Sequence, residues 1–407
     1  MASTNESDLN VGAIENFIEY LQIPSVHPDV NYDGCLQFLT KQAQSLGLPM
    51  QVHYCFPKKP IITITWKGYE PNSPSILLSS HMDVVPAYEE KWKYKPFSGH
   101  VTKEGNIYGR GAQDMKCVGV QYLEAVRRLR LNEVTLRRTV HLLFTPDEEI
   151  GGAQGMREFV KTPEFKRLNV GFALDEGMAS PSDEFVLFHG ERCIWYIIVH
   201  CMGQPGHGSL LLKNTAGQKL QYLLNKVYEF RAQQEKRLES DSSLTIGDVM
   251  SINVTQIQGG VQPNVIPPEF TLVLDCRIPV TTDVVQWEET LQGWCKAAGE
   301  NVWIEYKQKL PQIPATKLDH SNPFWIAFRT ASEKMGLKVK TEIFTGGTDS
   351  RYLRQVGIPA LGFSPMNNTP ILLHDHNEYL NQNVFLRGIE IYCQIIQAVS
   401  NVPDITG

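Results

Sequence analysis

Ser75-Ile76-Leu77-Leu78-Ser79-Ser80-His81-Met82-Asp83 is an apolar run that ends in two metal-binding residue types. The run reads as a strand buried on both faces of a sheet. His81 and Asp83 follow at period two, so they tend to face the same side. A histidine that binds a metal needs its other ring nitrogen held, commonly by a carboxylate, and Asp83 is placed to hold it. A polar strand exit would leave the same letters.

Similar apolar runs recur outward from this one, at residues 61–66, 140–145, 171–174 and 359–363. Helical periodicity is visible at 11–21, where Phe17, Ile18 and Leu21 share a side, and helices are expected at 115–129 and 384–398. Strands alternating with helices predict an α/β fold, a central sheet flanked by helices. Near Cys193 the texture changes. A strand at 194–201, a long amphipathic helix at 213–237, strands at 251–258 and 270–277 and a helix at 284–297 follow in turn. That order matches much of a ferredoxin-like unit. Residues 239–248 read as a polar surface loop. The first pattern resumes after about residue 311. The expected organisation is a larger domain of residues 1–188 and 311–407, interrupted by a small α+β domain at 189–310.

Other expected strand ends carry acids and histidines too. Gly109-Arg110-Gly111-Ala112-Gln113-Asp114-Met115-Lys116 combines a tight glycine turn with an aspartate at a helix start. An N-cap role alone would account for Asp114. Pro146-Asp147-Glu148-Glu149-Ile150-Gly151-Gly152 places three carboxylates in a row after a strand, which is costly unless a cation offsets them. Adjacent side chains diverge, so Glu149 can ligate a metal while Glu148 faces a bound water. Asp175-Glu176-Gly177 ends a further strand, and His374-Asp375-His376-Asn377-Glu378 follows an apolar run near the end of the chain. Histidine and carboxylate without thiolate suit a catalytic zinc site, and a shared acid supports two ions.

Composition narrows the class. Over 407 residues, 42% are hydrophobic and 20% charged, which suits a folded protein of two domains. The formal charge of −6 argues against a nucleic-acid surface, which needs a basic patch. The polar first ten residues lack the features of a signal peptide, and no apolar run is long enough to span a membrane. Eight scattered cysteines without a CxxC pair fit reduced thiols, hence a cytoplasmic protein.

The five segments, in this order, resemble the co-catalytic zinc peptidase family that includes aminoacylases, acetylornithine deacetylases and glutamate-releasing carboxypeptidases. The resemblance covers nearly the whole chain. It implies a zinc-exopeptidase-like catalytic domain with an inserted lid or dimerisation domain, and two Zn2+ per subunit. Asp114 would bridge both ions, His81 and Glu176 would complete one site, and Glu149 and His374 the other. Glu176 is preferred to Asp175, and His374 to His376. Glu148 would be the general acid/base acting with a metal-bound water, and Asp83 the carboxylate that orients His81. In Pro205-Gly206-His207 the histidine would reach the partner's active site in a homodimer and hold an oxyanion. Asn264, Arg277, Thr348 and Arg351 resemble substrate-binding positions, with arginine suited to a carboxylate. The implied reaction is hydrolysis of an N-acyl-L-amino acid, with a dipeptidase or carboxypeptidase as the alternative. A non-catalytic binding protein on this fold would be expected to lack His81, Glu148 or His374, and all three are present.

Overall fold

The computed structural model describes residues 5–404, so part of the polar opening segment lies outside it. The chain forms two compact units. One takes the chain up to His189 together with Thr316–Thr341 and everything from Thr348 on; the other takes Gly190–Ala315 and Glu342–Gly347.

The first unit is organised by a sheet of eight strands. Their order is Met50–Phe56, Lys59–Trp66, Val140–Thr145, Ser75–His81, Val170–Asp175, Ala360–Phe363, Glu184–Glu191 and Lys338–Phe344. The centre is parallel: Ser75–His81 runs alongside both Val140–Thr145 and Val170–Asp175. Toward the edges the pairing turns antiparallel, so the sheet is mixed.

Strand Ser75–His81 is buried at every position because both faces are covered. Ile76 and Leu78 join the core formed with helices Glu6–Leu21, Lys116–Leu131 and Gln382–Ser400. Leu77, pointing the other way, packs with Met156, Phe159, Phe165 and Leu353. Period-two alternation with packing on both sides is what buries the run at every position and makes its centre, Ile76 to Leu78, apolar.

The second unit is an antiparallel sheet ordered Ser251–Gly259, Glu269–Ile278, Cys193–Met202, Val302–Lys309. Helices Ala216–Ser240 and Val284–Ala298 contribute Leu220, Leu223, Trp287 and Leu291 to its core. Strand Val302–Lys309 completes the β-α-β-β-α-β order of a ferredoxin-like unit.

Several local expectations need correction. Asp114 does not cap a helix: the helix begins at Lys116 with Met115 at the cap position. The long helix runs to Ser240, two residues into the segment read as loop. The helices Asp33–Leu46 and Pro323–Lys334 and the strand Met50–Phe56 were not anticipated.

One buried histidine makes the first unit sensitive to acid. His141 stands on strand Val140–Thr145, with Nδ1 2.9 Å from Thr65 Oγ1 and Nε2 3.2 Å from the Leu168 carbonyl. Burial pushes its pKa down to about 4. Below the ordinary histidine value the unfolded chain takes up a proton that the folded chain refuses. Stability is therefore lost as pH falls toward 4, by about 2 kcal/mol between pH 7 and pH 5. We expect urea midpoints measured at those two pH values to converge in His141→Gln; a drop as large as the parent's would acquit this residue.

Candidate active site

The parallel centre of the sheet sets the site. His81 pairs with Thr145 and Leu78 with Leu174, so three strands end close together and their following residues converge. Ligand sites in open α/β sheets lie beyond such carboxyl ends.

His81 is buried. Its Nε2 lies 3.0 Å from Asp114 Oδ1, 3.5 Å from Glu176 Oε2 and 4.0 Å from Glu148 Oε2. His374 Nε2 lies 3.2 Å from Asp114 Oδ2 and 3.0 Å from Glu149 Oε2. Asp114 thus offers one oxygen to each imidazole. The structure brings together all five residues read as ligands, with Glu148 among them. His374 holds φ at 60°, a left-handed conformation uncommon outside glycine and often found at functional sites. Nearby, His376 meets the Tyr88 ring edge-on instead, and Asp175 accepts a hydrogen bond from Ser350 Oγ at 2.8 Å.

Four carboxylates around two imidazoles leave excess negative charge in a buried place. Burial raises the pKa of Glu148, and Glu176 adds to the rise. Glu149 is pushed up to about 7, first by burial and then by Asp114. Burial opposes ionisation of Asp114 as well, but hydrogen bonds from His374 and His81 hold it well below the usual carboxylate range. Glu149 Oε1 is buried with no hydrogen-bond partner among the described residues. An orphaned carboxylate oxygen and an all-nitrogen-and-oxygen donor set fit divalent cations. Two overlapping groups, His81–Asp114–Glu149 and His81–Glu148–Glu176, keep their ligand atoms within 4.8 Å of one another.

Asp83 meets His81 through both its backbone and its side chain. His81 Nδ1 lies 2.8 Å from the Asp83 backbone carbonyl and 3.5 Å from its carboxylate. The strand ends at His81, and past it the alternation no longer sets direction. The Asp83 carboxylate also accepts from the backbone N–H groups of Glu148, at 3.3 Å, and Glu149, at 3.0 Å. It therefore fixes the turn that carries both acids. Gly151 and Gly152 close that turn at φ 100° and 61°, and a side chain on Gly152 would collide with the Asp349 carboxylate.

Glu378 supports the Asp114 loop. Fully buried, it pairs with Arg110 at 2.7 Å and accepts from the N–H groups of Gly111, Gln113 and Asp114. The acid ending the His374 segment was visible in the sequence, but not this use of it. Asp349, next to Thr348, accepts from Thr145 Oγ1 at 2.8 Å, and burial with Asp175 nearby raises its pKa to about 8.

The remaining candidates sit as follows. Thr348 is buried and its hydroxyl accepts from Ser350 N. Arg351 lies in the short helix Ser350–Gln355, over the Tyr352 ring. In the second unit, His207 and Asn264 share a small ribbon: His207 pairs with Val265, and Gly208 N donates to the Asn264 carbonyl at 2.7 Å. His207 is exposed, with Nδ1 2.8 Å from Ser209 Oγ. Arg277 directs Nε and Nη2 at Asp275, at 2.7 and 3.0 Å.

Several known proteins are similar to this chain over nearly its whole length. The profile of peptidase family M20/M25/M40 matches residues 77–398. The chain is 48% identical over 387 residues to aminoacylase-1 of Sus scrofa, covering 95% of each. It is 43% identical over 398 residues to aminoacylase-1 of Dictyostelium discoideum, covering 95% of this chain and 97% of that one. Among solved structures, a tripeptidase of Staphylococcus aureus aligns with TM-score 0.73 at 19% identity, over 96% of this chain and 98% of that one. A dinuclear metal-binding peptidase of Bacillus subtilis aligns with TM-score 0.67 at 17% identity, over 98% and 100%. A profile match over most of the length, on a fold whose strand ends gather these histidines and acids, places the chain in the M20/M25/M40 family of metallopeptidases.

Proposed function

We propose that the chain is an amidohydrolase that cleaves N-acyl-L-amino acids into a carboxylic acid and a free L-amino acid. The observation that carries this reading is Asp114 shared between His81 and His374, with Glu148 buried beside them, in a chain so similar to aminoacylase-1.

Two zinc ions suit the donor set. His81, Asp114 and Glu176 would hold one, and Asp114, Glu149 and His374 the other. Bound there, the ions would polarise the acyl carbonyl and make a water acidic enough to attack it. Glu148 is the base. It takes the proton from the attacking water as the carbon–oxygen bond forms. It keeps that proton until the carbon–nitrogen bond breaks, and the proton then passes to the leaving nitrogen. Asp83 holds the Glu148–Glu149 turn in place through its backbone amides.

Asn264, Arg277, Thr348 and Arg351 are assigned to the substrate and its α-carboxylate. Arg277 already commits two nitrogens to Asp275, which makes it a preset, partly used fork. His207 is assigned to the oxyanion of a partner subunit, which requires a homodimer. The eight cysteines are all free, which suits the reducing cytoplasm. Among the described residues, no helix is long and apolar enough to cross a membrane.

The test compares kcat/KM for N-acetyl-L-methionine, methionine dipeptides and peptides ending in glutamate, on zinc-loaded protein. We expect the acylated amino acid to be preferred. Preference for dipeptides, or for release of glutamate, would replace this reading with a peptidase.

A further inference from the structure

The loop after the first helix clasps the site from outside. Ser25 Oγ donates to the Met82 carbonyl at 2.5 Å, and Val84 N donates to the Ser25 carbonyl at 2.9 Å. Tyr32 OH donates to the Pro146 carbonyl. Between these ties stands His27, whose Nε2 lies 2.9 Å from Asp83 Oδ2, with side chains 9% and 0% exposed. That same oxygen accepts from Glu149 N, and its twin accepts from Glu148 N.

We propose that His27 is a positioning residue for the reaction: by donating to Asp83 it aims the carboxylate that holds the Glu148–Glu149 turn. The inference rests on the reading above for the roles of those two acids. A buried carboxylate that loses its strongest side-chain donor must find compensation by moving, and the two amides it holds move with it. Among the described residues, the hydrogen bond and ion pair of the His27 side chain run to Asp83 and to none of the proposed cation ligands.

The variant should fold. One side of the imidazole borders a cavity of about 820 Å³ shared with Tyr54, Lys59 and Gln154. Truncation therefore opens onto existing space and does not seal a new void.

The experiment uses the full chain as His27→Ala and His27→Gln. The glutamine amide keeps a donor that can reach Oδ2. Losing a hydrogen bond to a buried charged group is worth about 10–100-fold, so His27→Ala should lose about that factor in kcat with KM within about twofold. Zinc affinity, read by competition with a chromogenic chelator, should weaken about tenfold in the same variant. His27→Gln should recover most of both. A merely structural histidine predicts equal losses of thermal stability in both variants, with kcat per folded molecule unchanged. The proposal is overturned if zinc affinity and kcat in His27→Ala stay within twofold of the parent, or if His27→Gln is as impaired as His27→Ala. The zinc measurement needs no substrate. A parent inactive on N-acyl amino acids would thus sink the functional reading while zinc affinity still decides the role of His27.

Discussion

Glu148→Gln should lower kcat by about 10²–10⁴-fold while leaving zinc content and unfolding midpoint at parent values. The substitution is nearly isosteric, and the bond from Glu148 to Asp83 uses the backbone N–H, which glutamine retains. Glutamine loses only the capacity to accept and return a proton. The side chain is buried and its nearest imidazole contact is 4.0 Å, so it contributes little to holding His81. Because no substrate contact is removed, KM should stay close to the parent's and the loss should fall on kcat. Turnover within a few-fold of the parent would take the acid/base role away from Glu148.

Glu378→Ala should cost about 3–5 kcal/mol of stability, the range for breaking a buried ion pair by deleting one partner. Arg110 is 2% exposed, lies against the Trp92 ring and would keep its charge with no carboxylate beside it. The N–H groups of Gly111, Gln113 and Asp114 would lose their acceptor together. The backbone of Asp114 would then be free to shift, so activity should fall further than the fraction unfolded explains. Urea unfolding followed by tryptophan fluorescence measures the first effect, and zinc competition the second. Glu378→Gln retains oxygen without charge and should land between the two. A midpoint shift worth less than about 1 kcal/mol would mean that water replaces the lost carboxylate.

Three of the residues proposed as ligands were legible in the sequence because His81 ends, and Glu149 and Glu176 follow, short strands buried at most positions and rich in apolar residues. The roles of their supporters were not. Spacing put Asp83 on the same side as His81, but did not show that its backbone carbonyl, at 2.8 Å, lies closer to the ring than its carboxylate, at 3.5 Å. Asp114 read equally well as a helix cap; the helix start at Lys116 and the contacts of Asp114 with two imidazoles separate the readings. His27 lies in a loop without periodicity, and its partner is 56 residues away. Strand Val302–Lys309 buries one side only partly, alternating with exposed Trp303, Glu305 and Lys307, so it carries no apolar run.

The bond from Asp114 N to Glu378 joins residues 264 positions apart. During translation, His81, Asp114, Glu148, Glu149 and Glu176 are all made long before His374 and Glu378 exist. Until then the acids repel one another with a single imidazole to offset them, and the Asp114 loop has no acceptor for its amides. A nascent or truncated chain therefore carries most of the cage without its keystone: the group of Asp114, Glu149 and His374 is incomplete until synthesis is almost over.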